Sequence, residues 1–129
     1  MLSLAGCAGF TEIVPGAFNL VDQAADDLEL ETAGEIDLDF HSGGTLFGDG
    51  PSYVAVVSGD DAFAVLEGRL PELGYASADE TGYWVRGDGE ESISVRLSAL
   101  VAGDALSADG ETVTIEHSCV KVTILAASP

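Results

Sequence analysis

Polar and hydrophobic positions alternate with a period of two in several stretches of this chain and recur at helical spacing in one. Leu28 and Leu30 alternate with Glu29 and Glu31. Ile36, Leu38 and Phe40 alternate with Glu35, Asp37, Asp39 and His41, and Thr32-Ala33-Gly34 lies between the two runs. This pattern predicts an antiparallel hairpin over residues 27–40 with one apolar face and one acidic face. Tyr53-Val54-Ala55-Val56-Val57 is a continuous apolar run bounded by Gly50-Pro51 and Gly59, which suits a central strand covered on both sides. Phe63, Leu66 and Leu70 then repeat at helical spacing up to Pro71, where the helix is expected to end or kink, with Asp60 or Asp61 placed to cap its start. Leu73-Gly74-Tyr75 closes that segment.

Further along, Gly82-Tyr83-Trp84-Val85-Arg86 reads as a strand, Gly87-Asp88-Gly89-Glu90 as a hairpin turn, and Ser92 to Leu100 as the partner strand. Alternation there turns Ile93, Val95, Leu97 and Ala99 toward the core, and the serines and Arg96 outward. Gly103 to Gly110 reads as a polar loop. After it, Val113, Ile115, His117 and Cys119 share one parity and Val120, Val122 and Ile124 the other. A one-residue slip flips every side chain, so a bulge or bend is expected near Ser118 in a long final strand. The elements predict an α+β fold, an antiparallel β-sheet of about five or six strands with one helix packed on one face. A small all-β sandwich with an embedded helix is the alternative.

The chain has 129 residues, of which 47% are hydrophobic. That is the size of one domain, with enough apolar surface to offset the entropy of ordering. Its 23 Asp plus Glu against 4 Lys plus Arg give a formal net charge of -19. Such a field repels phosphate backbones, so nucleic-acid binding is excluded as a function class. Nowhere do about 18 apolar residues run together, so membrane contact is expected only through an attached lipid.

An apolar residue, two small residues and a cysteine stand near the start as Leu4-Ala5-Gly6-Cys7. This resembles the lipobox of bacterial lipoproteins. The resemblance implies that the Cys7 sulfur takes a diacylglyceryl group and that cleavage falls just ahead of it. Scarce lysine with abundant Ala, Gly, Asp and Glu is similar to actinobacterial or haloarchaeal proteins. On this reading residues 1–6 are the remnant of a signal peptide, 7–26 a lipid-anchored tether with a short helical turn around Phe18 to Ala25, and 27–127 a single α+β domain. The expected location is the cell membrane, lipid-anchored and facing the extracytoplasmic side, with an envelope protein or cell-wall component as partner.

Candidate chemistry is sparse, and no cofactor is implied. Glu35, Asp37, Asp39 and His41, with Glu29 and Glu31, form an acidic strand face that either binds a hard cation such as calcium or is simply solvated; the spacing lacks the glycine and final glutamate of an EF-hand. His117 and Cys119 lie two apart and would share a side of a strand. Imidazole beside thiol is the minimum for a thiol-dependent enzyme, but that chemistry also needs an electropositive, accessible setting. The expectation is therefore a non-enzymatic binding module.

Overall fold

The computed structural model describes residues 18–42, 51–78, 83–87, 92–108 and 111–126. In chain order the elements are α1 (Asn19–Leu28), α2 (Leu30–Ala33), β1 (Glu35–Ser42), β2 (Ser52–Ser58), α3 (Ala62–Glu72), β3 (Ala76–Ser77), β4 (Tyr83–Arg86), β5 (Ile93–Leu100), β6 (Ala105–Ala108), β7 (Glu111–Thr114) and β8 (Cys119–Ala126). The fold is α+β. Six strands form one antiparallel sheet in the order β1-β2-β8-β5-β4-β3, and β6 pairs with β7 in a separate two-stranded ribbon. The last strand lies between β2 and β5, joining the two halves of the chain.

The expected hairpin over residues 27–40 is not formed, because its first half is helical. Val21, Ala24 and Leu28 are buried at the three- and four-residue spacing of a helix face. Leu30 is buried too, although two residues along a continuous helix point to nearly opposite sides. Glu29 resolves the conflict. It adopts a left-handed conformation (φ 50°, ψ 55°), which bends the helix and restarts it as α2 with Leu30 turned back to the core. Arg69 of α3 supports the bend, its Nη1 donating to the carbonyls of Leu28 at 2.6 Å and Glu29 at 2.9 Å. A cation on the terminal carbonyls of α1 also complements the negative end of its dipole. Residues 19–26, expected in the tether, are therefore part of the packed domain.

α3 buries Leu66 and Leu70 as expected, with Ala62 completing the buried face in place of the expected Phe63, which is only partly buried, and the helix continues through Pro71 to Glu72. Asp61 stands at the N-cap without a side-chain capping bond. The helix ends in a Schellman motif: Gly74, at φ 95°, donates to the Pro71 carbonyl and Tyr75 to the Leu70 carbonyl. α1 packs on β2, β5 and β8, and α3 on β3, β5 and β8. Their buried faces meet Ala55, Val57, Val95, Val122 and Ile124 of the sheet. Ala99 shares that side by register but is exposed near the end of β5.

The long bent final strand is two strands. β7 ends at Thr114, β8 begins at Cys119, and the chain leaves the ladder between them. The parity change after Cys119 is thus a passage from the ribbon to the main sheet. Among the described residues no helix is long and apolar enough to cross a membrane.

Candidate functional site

On the side of the main sheet away from the helices, the β6–β7 ribbon and the residue after it cover one end. There Leu106 of β6 and Ile115, just after β7, pack on Val56 and Cys119, with Leu38 and Leu100 at the margin. The ribbon is folded over by short local bonds: the Val101 amide donates to Asp104 Oδ2 at 2.9 Å, Ile115 donates to the Asp104 carbonyl at 2.8 Å, and Gly103 donates to the Ile115 carbonyl at 2.8 Å. Over the remaining strands this side presents Ser94, Arg96, Ser98, Lys121 and Thr123.

A β-bulge in β1 shapes the covered end. Ile36 pairs with Val57, but Leu38 pairs with Val56, leaving Asp37 as the extra residue. Residues opposite each other in a ladder share a side of the sheet. Ile36 therefore joins the helix side and Leu38 the ribbon side. The acidic row expected on one face is divided in the same way. Asp39 and His41 lie opposite Ala55 and Tyr53 on the helix side, whereas Asp37 opens toward the ribbon.

Between the bulge and the segment joining β7 to β8 is a cleft of about 250 Å³. Leu38, Val56, Ile115 and Cys119 give it an apolar floor, and the exposed Asp37, Glu116 and His117 stand at its mouth. His117 Nε2 approaches Asp37 Oδ2 only to 3.8 Å. Among the described residues, neither Asp37 nor Glu116 accepts a side-chain hydrogen bond. The structure thus places His117 and Cys119 on one cleft, but His117 belongs to a connecting segment and not to a strand. Cys119 is buried, and its thiol is pushed above its ordinary pKa by burial first, then by the charges of Asp37 and Asp104. That setting opposes formation of the thiolate that nucleophilic chemistry requires.

The other sequence candidates are dispersed. Asp39 accepts a 2.7 Å bond from the Tyr53 hydroxyl, and His41 Nε2 lies 2.6 Å from Asp22 Oδ1, with the His41 ring between those of Phe18 and Tyr53 at centroid distances of 4.5 and 5.2 Å. Tyr53 is held far above the usual phenol range by burial, then by the bond to Asp39 and by the charges of Asp39, Asp22 and Glu31. Glu29 and Glu31 belong to the bent helix, and Glu35 is exposed at the start of β1. Among the described residues no three His, Cys, Asp or Glu side chains converge as a metal-holding group. Cys7 and the rest of Leu4-Ala5-Gly6-Cys7 lie outside the described residues, as do residues 43–50 of the glycine-rich segment.

The cations divide too. Arg69 is committed to the helix bend, and Arg86 donates to the Leu73 carbonyl at 3.0 Å with its guanidinium 4.6 Å from the Tyr75 ring centroid. Arg96 and Lys121 are on the ribbon side, outside the cleft. Sequence reasoning missed Asp37 as a bulge residue and Glu116 as its neighbour. The available signal was the fully apolar Tyr53–Val57 run, which requires apolar cover on both sides, together with Leu106, Val113 and Ile115 in an otherwise polar stretch.

No protein-family model matches this chain, and neither does a curated protein or a solved structure.

Proposed function

We propose that this chain is a lipid-anchored domain displayed on the extracytoplasmic side of a cell membrane, where it acts without catalysis by binding an envelope protein or cell-wall component. Leu4-Ala5-Gly6-Cys7 supports the anchor through its resemblance to a lipobox. The binding role rests on one observation, the cleft whose apolar floor is rimmed by the carboxylates of Asp37 and Glu116, neither of which accepts a side-chain hydrogen bond among the described residues. A buried Cys119 biased toward its protonated form supports the non-catalytic part of the reading.

Metabolic labelling with a fatty-acid analogue tests the anchor. Label should enter the protein and disappear in Cys7→Ala; an unlabelled protein recovered wholly in the soluble fraction refutes the anchor. Alkylation of the folded protein tests the rest. Cys119 should react with iodoacetamide far more slowly than after unfolding, and equal rates would reopen a thiol-dependent activity.

A further inference from the structure

The cleft between the β1 bulge and the β7–β8 connection has a composition that selects for one ligand chemistry. Its floor is hydrocarbon and a buried thiol, from Leu38, Val56, Ile115 and Cys119. Its mouth holds two carboxylates, Asp37 and Glu116. The nearest neighbour of Asp37, His117, stops 3.8 Å away, outside the distance of a strong charge-assisted bond. Arginine and lysine are absent from the lining. An anion entering here would meet two like charges, and a neutral apolar molecule would gain nothing from either carboxylate. A hydrocarbon chain ending in a positive charge satisfies both parts: its methylenes cover the floor while its head donates to the rim.

Size narrows the class. The cleft measures about 250 Å³, below the roughly 300 to 1,000 Å³ of sites for drug-sized ligands. It suits a single short chain. The net charge of -19 adds long-range attraction for cations and repulsion for anions.

We infer that this cleft is a binding site for an aliphatic ammonium group, with Asp37 and Glu116 receiving the charge and Leu38, Val56 and Ile115 receiving the chain. The same chemistry is presented by a lysine side chain on a protein partner and by a free alkylamine. This deepens the binding-module reading, and its test is separate from the acylation that tests the anchor.

The experiment is a titration of the full chain followed by two-dimensional NMR, with three probes: n-pentylammonium, the peptide acetyl-Gly-Gly-Lys-Gly-Gly-amide, and the same peptide with its lysine acetylated. The expected result is saturable shifts at Leu38, Ile115 and His117 with at least one ammonium probe and none with the acetylated peptide. Tighter binding of the peptide than of the amine assigns the group to a protein partner, and the reverse order assigns it to a small amine. Glu116→Gln lies outside the strands and should weaken binding by about tenfold while leaving the rest of the spectrum unchanged. Asp37→Asn should do the same, its fold checked by its melting temperature. Shifts that never saturate, that spread over the acidic surface, or that persist equally with the acetylated peptide or in Glu116→Gln overturn the proposal.

Discussion

The two sides of the main sheet solve the same packing problem to different depths. Among the described residues, eighteen buried ones form one continuous cluster on the helix side, and on the ribbon side Val56, Leu106, Ile115 and Cys119 form a smaller one. β2 explains why both must exist, since it is buried from Ser52 to Val57 and so needs cover above and below. The helices supply long amphipathic faces, whereas the ribbon supplies two four-residue strands and one loop residue. The thinner layer leaves a cleft, and the cleft is where carboxylates meet hydrocarbon. The helix side therefore holds most of the buried apolar surface, and the ribbon side keeps an open cleft.

Core truncation gives the largest test of that difference. Leu66 is fully buried beneath α3, so Leu66→Ala should cost about 2 to 5 kcal/mol in denaturant unfolding. Leu106 is buried in the smaller cluster at the edge of solvent, and Leu106→Ala should cost about 1 to 2 kcal/mol. Equal losses would mean that the ribbon is as much a core as the helices, and the comparison would fail. Next comes the helix bend. Arg69→Met removes a charged donor from two carbonyls at once and should cost about 1.5 to 3 kcal/mol in the same measurement. A Cβ at Gly34 would run into the Ser58 carbonyl oxygen, so Gly34→Ala should cost about 1 to 3 kcal/mol by forcing β1 and β2 apart.

Much of this architecture is legible in the residues, and where it is not the cause is physical. The run at Tyr53–Val57, the Leu66 and Leu70 spacing and the alternation from Ile93 to Leu97 each fix a phase that no local event disturbs. Residues 28–40 fail because two local events reset the phase. Left-handed Glu29 turns a helical stretch into apparent alternation at Leu28 and Leu30, and the bulge at Asp37 sends Leu38 to the opposite side from Ile36. Neither event has a glycine or proline to announce it. The cleft was invisible for the same reason: Asp37 and Glu116 are brought together by a bulge and by the exit of the chain from β7 after Thr114, and neither is written in periodicity.

Alkaline pH gives a smaller effect, to which the helix side contributes Tyr53 and Tyr75 and the ribbon side the Cys119 thiol, each raised by burial. The Tyr53 phenol has a raised pKa in the folded protein, chiefly through burial and then through Asp39. The unfolded chain, with a phenol pKa of about 10, releases that proton first. The stabilisation is therefore complete below about pH 10 and is lost as pH climbs beyond it. Tyr75 is raised as well, mainly by burial, so the informative quantity is the difference between proteins. Tyr53→Phe should show a shallower fall in melting temperature above pH 10 than the parent, while starting lower at neutral pH because the bond to Asp39 is gone. Parallel falls would remove Tyr53 from the alkaline transition.

The smallest expected change is the one whose sign says most. Tyr75 is 4% exposed, and its hydroxyl, like the indole nitrogen of Trp84, is buried without a hydrogen-bond partner among the described residues. A buried hydroxyl with no partner carries a desolvation cost of about 1 to 3 kcal/mol that its removal returns, less the small void left behind. The Arg86 guanidinium over the ring survives in Tyr75→Phe, because it addresses the aromatic face and not the oxygen. Tyr75→Phe should therefore match the parent in thermal unfolding or exceed it by up to about 1 kcal/mol. A loss of about that size would instead place a bound water on the hydroxyl. Water would then reach the helix side too, and water access could no longer be what separates the larger cluster from the cleft side.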